Sequence, residues 1–369
     1  MTAPTFATGS DHTQKHWSKR MYYDSISDDE LPGMLKKKGI LAVEDKLTKE
    51  AGDRVRIQFL QRQSGKGLRG MATRTGNEQP LAYFAHDVLI DNLSSDPIQI
   101  PNNGTIGGQR VGFNMTEDAY TVLRNWDLER KTVACLYQLC GYYPTSITYD
   151  GETATGDDRL NYTGLNAAVA PSSGYIFRPN SLTTDEGVNA DTTATLKMSH
   201  IDTLVDAART TRPYIEKIGM SGINYLFYVH VKGFRQLMQD TTSPFQERDV
   251  ILAKIAAGVK DAELLGESFQ YNETLVICSD KLPNGVHSST SAVQTNVRRA
   301  AFCGRNALAM AYGKGYSDSK ETVASYKFES DLWDLNQYRR YVLSSVHGIT
   351  KVQWNSVDYG VMVFSHYVA

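Results

Sequence analysis

Asp53-Arg-Val-Arg-Ile-Gln-Phe-Leu-Gln-Arg-Gln63 and, after a glycine-rich break, Leu81-Ala-Tyr-Phe-Ala-His-Asp-Val-Leu-Ile-Asp-Asn-Leu93 decide how this chain is read. In the first run Val55, Ile57 and Phe59 alternate with Arg54, Arg56 and Gln58. In the second, Leu81, Tyr83 and Ala85 are followed by Val88 and Ile90. A period of two sets one face against apolar surface and leaves the other wet, which predicts a half-buried antiparallel pair. Seventeen residues, with Gly65, Gly67, Gly70 and Gly76 among them, separate the runs. Ordinary hairpin loops have about 2–5. A two-stranded ribbon is marginal by itself in water, so its apolar face is expected to find a partner, another chain included.

Upstream, residues 1–50 hold eight Lys/Arg and eight Asp/Glu, with Trp17, Met21, Leu31, Leu35 and other apolar residues spaced between polar clusters. Such a segment buries little alone. It reads either as an arm lying on other surfaces or as an N-terminal helical subdomain. Downstream, a helix is predicted over 115–140. Asn114 or Thr116 can cap it, Glu117 and Asp118 sit in its first turn, and Gly141 and Pro144 stop it. Ala119, Leu123, Trp126, Val133, Tyr137 and Cys140 keep a 3–4 spacing that is interrupted at Arg130. Twenty-five residues make a rod of about 37 Å, twice an average globular helix.

Residues 145–197 carry seven acids against three bases and no helical period, and read as loops with short strands. Beyond them, a helix Ser199–Thr211 with a Ser199/Asp202 capping pair and a strand Ile223–Val231 are predicted. So are a helical patch at 246–257 and a strand Glu273–Cys278. The last strands, at 341–346, 349–354 and 359–367, are read as broken at Gly348 and Gly360.

Composition excludes more than it assigns. With 369 residues and 41% apolar, the chain can build one large or two to three ordinary domains. Thirty-nine bases against 41 acids, a net charge of -2, argue against a protein that condenses nucleic acid by its own charge. No apolar run approaches the roughly 18 residues of a membrane span. The first ten residues lack the features of a secretory signal. Four cysteines are too few for a disulfide framework and fit a reducing cytosol.

No catalytic constellation stands out, and no cofactor or metal is expected. Gly65-Lys-Gly-Leu-Arg-Gly70 matches the dinucleotide pattern in form, but Met71-Ala-Thr-Arg-Thr-Gly76 is too short and β-branched to open the required helix. Cys135 and Cys140 stand about 140° apart on the long helix and cannot share a metal. His230 reads as a structural histidine. Asp150, Glu152, Asp157 and Asp158 lack calcium-loop spacing and read as a solvated acidic loop. Arg62, Lys66, Arg69 and Arg74 make the ribbon basic, for nucleic acid or for an acidic neighbour.

Trp17-Ser-Lys19, Glu50-Ala-Gly-Asp-Arg-Val-Arg-Ile57 with its Gly-rich tip, Asn77-Glu78 and Asp87-Val-Leu-Ile-Asp91 come in a set order. Trp126-Asp-Leu-Glu-Arg130 and Leu139-Cys-Gly-Tyr-Tyr-Pro144 follow, then Tyr228-Val-His230 before Phe234-Arg-Gln-Leu237. Gly266 to Asn272, Gly304 to Ala307, Ala311 to Gly315, His347 to Lys351 and Asp358 to Val361 complete the series. In that order they resemble the major capsid proteins of N-four-type short-tailed phages, from about residue 15 to the end. Val231 stands where a proline is common there, and the acidic stretch 145–197 has no counterpart in the resemblance.

The resemblance implies an α+β chain of the Hong Kong 97-like phage capsid fold. Its parts would be an N-terminal arm (1–50), an E-loop β-hairpin (51–93), a peripheral domain (94–145 and 317–355, with the spine helix at 115–140) and an axial domain (146–316 and 356–369). It implies a structural, non-enzymatic protein of the virion capsid. Copies would self-assemble, in the bacterial host cytoplasm, into pentameric and hexameric capsomers of an icosahedral head enclosing double-stranded DNA. Cement or decoration, scaffold and portal proteins are further partners it allows, without a membrane. Inter-subunit contact falls to Trp17, Val55, Ile57, Phe59, Arg62, Lys66, Arg69, Arg74 and Tyr83, with the Val55–Ile57–Phe59 face expected to be covered by the next subunit. A cellular nanocompartment shell of the same fold, or a cytosolic enzyme with a site around Asp150–Asp158, are the competing expectations.

Overall fold

The computed structural model describes residues 39–44, 53–60, 67–71, 73–76, 78, 83–102, 115–219, 222–240, 268–313 and 326–368. Most of the expected arm, including Trp17, and the helical patch at 246–257 lie outside them. In chain order the first strands are β1 (Leu41–Glu44), β2 (Arg54–Leu60), β3 (Tyr83–Leu89), β4 (Asp91–Ser94) and β5 (Ile98–Pro101), before helix α1 (Met115–Leu139). Then come β6 (Ser146–Tyr149), β7 (Glu152–Thr155), α2 (Leu160–Thr163), β8 (Ile176–Phe177), α3 (Asp185–Ala190) and α4 (Met198–Thr210). β9 (Tyr225–His230) runs straight into α5 (Val231–Gln239). β10 (Ser268–Tyr271), β11 (Thr274–Ser279), β12 (Asn284–Val286), β13 (Val293–Cys303) and β14 (Leu308–Tyr312) follow. The series ends with β15 (Tyr326–Trp333), β16 (Tyr338–Lys351), β17 (Gln353–Trp354), β18 (Val357–Asp358) and β19 (Val361–Tyr367).

Two sheets share one helix. Six strands pair as β1-β14-β16-β15, with β4 and β5 along β16; seven pair as β10-β11-β9-β13-β19-β8, with β12 on β13. β9 is central, so both its faces are buried: Leu226 and Tyr228 join the core around α1, while Tyr225, Phe227 and Val229 pack with α4 and α5. The same α1 core takes Leu308, Met310, Tyr326, Phe328, Tyr341 and Leu343 from the six-stranded sheet. α1 is therefore buried without a break from Val133 to Cys140. The gap in its apolar spacing is explained by neighbours: the Arg130 guanidinium lies 4.1 Å from the centre of the Tyr162 ring, and Lys131 pairs with buried Asp127 at 2.8 Å.

Three local expectations change. Gly348 does not break a strand: β16 runs through it for 14 residues. A Cβ there would sit 1.9 Å from the Leu89 carbonyl oxygen, so the glycine permits a close backbone approach. Thr116 is inside α1, its hydroxyl 2.9 Å from the Tyr341 hydroxyl, and Asn114 lies outside the described residues. α4 starts at Met198, with the Lys197 amide on His200 Nδ1. Asp202 instead accepts from Tyr271 Oη and Asn272 Nδ2. The acidic quartet of the 145–197 stretch is solvated as expected, whereas another acid of that stretch is not. Asp150, Glu152, Asp157 and Asp158 are exposed, but Asp185 is fully buried at the start of α3.

Candidate assembly interface

The ribbon is the pair β2–β3, in register from Arg54↔Leu89 to Leu60↔Tyr83 and, among the described residues, joined to no other strand. At its base the alternation works inside the chain. Val55 (5% exposed), Ile57 (9%) and Val88 (0%) pack on Ala309, Ala311 and Val352. This corrects the expectation that Val55 and Ile57 wait for the next subunit, because β14 already covers them. Leu89 is gripped twice by Asn166, which accepts its amide at 3.1 Å and donates to its carbonyl at 2.9 Å. The Ile90 amide bonds the Asp53 carbonyl at 3.0 Å. The base is anchored to the body on both strands.

On the wet face Arg56 forks onto Asp87, with Nε 2.7 Å and Nη2 2.9 Å from its two oxygens. That hydrogen bonding holds the Asp87 carboxyl below its ordinary value. Farther out, Arg69 and Arg74 are exposed. Phe59 and Tyr83 belong to the strand pairing through backbone register, but their side chains, with Arg62 and Lys66, lie outside the described residues. Sequence reading missed Leu68 and Met71. Leu68 is half exposed and Met71 wholly so, and the available signal was two large apolar residues among the glycines of the tip.

Other exposed apolar side chains lie where copies could meet. Val122 projects from α1 beside exposed Glu117 and Asp118. Trp333 and Leu335 stand at the β15–β16 turn, with the Arg340 guanidinium 4.1 Å from the Trp333 ring centre. The acidic face of α1 is extended by Glu129, which accepts from Tyr149 Oη at 2.5 Å and so joins the β6–β7 hairpin, with exposed Asp150 and Glu152, to the helix. The basic tip and this acidic face are complementary in charge, each around an exposed apolar residue.

The ionisable groups inside the chain are occupied with holding it together. Arg299 donates to Asp185 Oδ2 through Nη2 at 2.7 Å and Nε at 3.0 Å, and to the Cys140 and Gly141 carbonyls. Burial would push the Asp185 carboxyl up, but Arg299 and Arg178 hold it below the ordinary range. Lys351 and Asp358 form a second buried pair at 2.9 Å. His230 caps α5. Among the described residues no cluster of three or more His, Cys, Asp or Glu could hold a metal, and no helix is long and apolar enough to cross a membrane. The cysteines form no disulfide, and burial pushes the Cys140 thiol up to about 12, which leaves it unreactive.

The phage capsid protein family matches residues 5–369, the acidic 145–197 stretch included. This chain belongs to that family. It is a structural protein of the phage capsid, with the Hong Kong 97-type fold. Among solved structures it is similar to the capsid of Ralstonia phage GP4, with a TM-score of 0.71 at 17% identity, over 91% of this chain and 89% of that one. The capsid asymmetric unit of cyanophage Pam1 gives 0.63 at 18%, over 90% and 89%. The head of Helicobacter pylori bacteriophage KHP40 gives 0.56 at 13%, over 89% and 88%. No curated protein matches the sequence.

Proposed function

We propose that this chain is the major, non-enzymatic subunit of an icosahedral phage head. Copies assemble in the bacterial host cytoplasm into pentameric and hexameric capsomers that enclose double-stranded DNA, with portal, scaffold or cement proteins as further partners. The observation that carries the proposal is the ribbon: among the described residues it is anchored to its own body at the base, and it offers Leu68, Met71, Arg69 and Arg74 to solvent. Its occupant would be the neighbouring copy, with Trp17, Phe59, Arg62, Lys66 and Tyr83 in the same contact zone. Permanent interfaces commonly bury about 2,000 Å² or more, and a closed shell makes modest pair contacts avid.

The domain layout follows the same proposal: arm 1–50, E-loop 51–93, peripheral domain 94–145 and 317–355, axial domain 146–316 and 356–369. The seven-stranded sheet supports the axial assignment. β14 pairs with β16, so residues 308–312 are better grouped with the peripheral sheet.

Sedimentation and negative-stain imaging of the purified chain test the function. Wild type should form shells, rings or sheets of megadalton size, and a soluble, non-associating monomer would overturn the proposal. The double variant Leu68→Asp/Met71→Asp should keep its circular dichroism spectrum and melting temperature while losing assembly at least tenfold. A double variant that assembles normally would remove the ribbon tip from the interface.

A further inference from the structure

Three histidines meet on the helical side of the seven-stranded sheet. His200 Nδ1 accepts the Lys197 amide at 3.1 Å across the first turn of α4. His230 is the N-cap of α5, its Nδ1 accepting the Lys232 amide at 3.2 Å. His366, on β19, is fully buried, and neither ring nitrogen has a hydrogen bond of ordinary geometry. α5 rests on this ring at Gly233, where a Cβ would come within 2.4 Å of His366 Nε2. His200 packs on Phe364 with 4.9 Å between ring centres, and Phe364 lies 6.3 Å from His366. The two helices are also tied to each other through the Met198 amide on Asp240 Oδ2 at 3.1 Å.

An imidazole accepts only through a nitrogen that carries no proton. Protonation would remove the acceptor at both helix starts and place a cation at the positive end of each helix dipole. On His366 it would place a charge in an apolar layer where, among the described residues, no carboxylate faces it. We propose that His200, His230 and His366 form an acid-opened latch, holding α4 and α5 on the seven-stranded sheet at neutral pH and releasing them as the medium acidifies. The latch lies within one subunit and stands apart from the assembly proposal.

The surrounding charges favour the neutral rings. Lys197 and Asp240 face His200; Arg298, Lys232 and Asp280 face His230; His230, His200 and Arg298 face His366. Burial first, then Lys197 at His200 and Arg298 and Lys232 at His230, lower these two to about 4; burial, then His230, His200 and Arg298, lower His366 to about 3 against a backbone hydrogen bond to Phe364 that raises it. Asp240 and Asp280 oppose this and are outweighed. With folded values depressed, the stabilisation is complete above the unfolded value of about 6.5 and is lost as pH falls from there toward the folded values. At pH 5 each histidine multiplies the opening equilibrium by about 30 relative to pH 8.

Hydrogen exchange of the full chain at pH 8, 6 and 5, corrected for intrinsic exchange, reads this directly. The amides of α4 and α5 should lose protection by about 30-fold for each ring that opening exposes, roughly 10⁴-fold for all three, between pH 8 and 5, while the buried half of α1 changes little. In His200→Gln/His230→Asn, whose side chains accept at any pH, the dependence should shrink to the about 30-fold that His366 alone supplies. Wild-type protection that ignores pH, or a double variant with the wild-type response, would overturn the latch. Should the variant fail to fold, the imidazole proton resonances of wild type decide: three rings still neutral at pH 5 support the latch, and titration of any of them near 6.5 sinks it.

Discussion

Two arginine–aspartate forks in this molecule have the same contact distance and opposite consequences. Arg299–Asp185 and Arg56–Asp87 both close at 2.7 Å, but the first pair is 2% and 0% exposed and the second 65% and 32%. Around Asp185 no charge is left unanswered. Arg178, the Val286 amide and Arg299 converge on it, and Arg299 spends its remaining donors on the end of α1. The acidic stretch is thereby tied to β13 and to the shared helix. Asp87 and Arg56 are both open to solvent, on a ribbon whose described residues are anchored at its base. Stability is concentrated in the layers, and the ribbon is left available for contact.

Substitutions that remove one partner should separate the two regions. Arg299→Leu leaves Asp185 charged and buried beside one remaining arginine. It is expected to cost about 3–5 kcal/mol, read as a collapse of the urea midpoint and loss of soluble chain; a midpoint like that of wild type would mean the network is not what joins the acidic stretch to the sheet. Ile57→Ala, at the ribbon base, should cost about 2–5 kcal/mol in the isolated subunit. Were only assembly affected, with monomer melting unchanged, β14 would not be the surface that covers this residue. Arg56→Gln is the smallest effect: no detectable change in melting, because an exposed pair contributes little. A clear drop in melting temperature would erase the contrast between the two forks.

Much was legible in the sequence because it rests on local periodicity. α1 appears at Met115–Leu139 against an expected 115–140, and the ribbon strands fall inside the two alternating runs. The misreadings share one cause. Gly348 reads as a breaker until Leu89 is seen to occupy the space of its missing Cβ. Asp185 reads as one of seven acids in a loop-rich stretch until Arg299, 114 residues away, is placed beside it. Val55 and Ile57 read as waiting for another chain until Ala309 and Ala311 cover them. Of the residues expected at the inter-subunit contact, Arg69 and Arg74 are exposed at the tip, whereas Leu68 and Met71 are visible as candidates only through their exposure.

By itself the sequence determined the rod, the ribbon, the central strand and the lack of a recognisable catalytic motif, since each depends on residues within a few turns or pleats of one another. The tertiary structure alone decided which apolar faces are satisfied within one chain, which charges are buried in pairs and which three imidazoles stand together. Those outcomes depend on burial, and burial is set by neighbours that arrive from more than a hundred residues away.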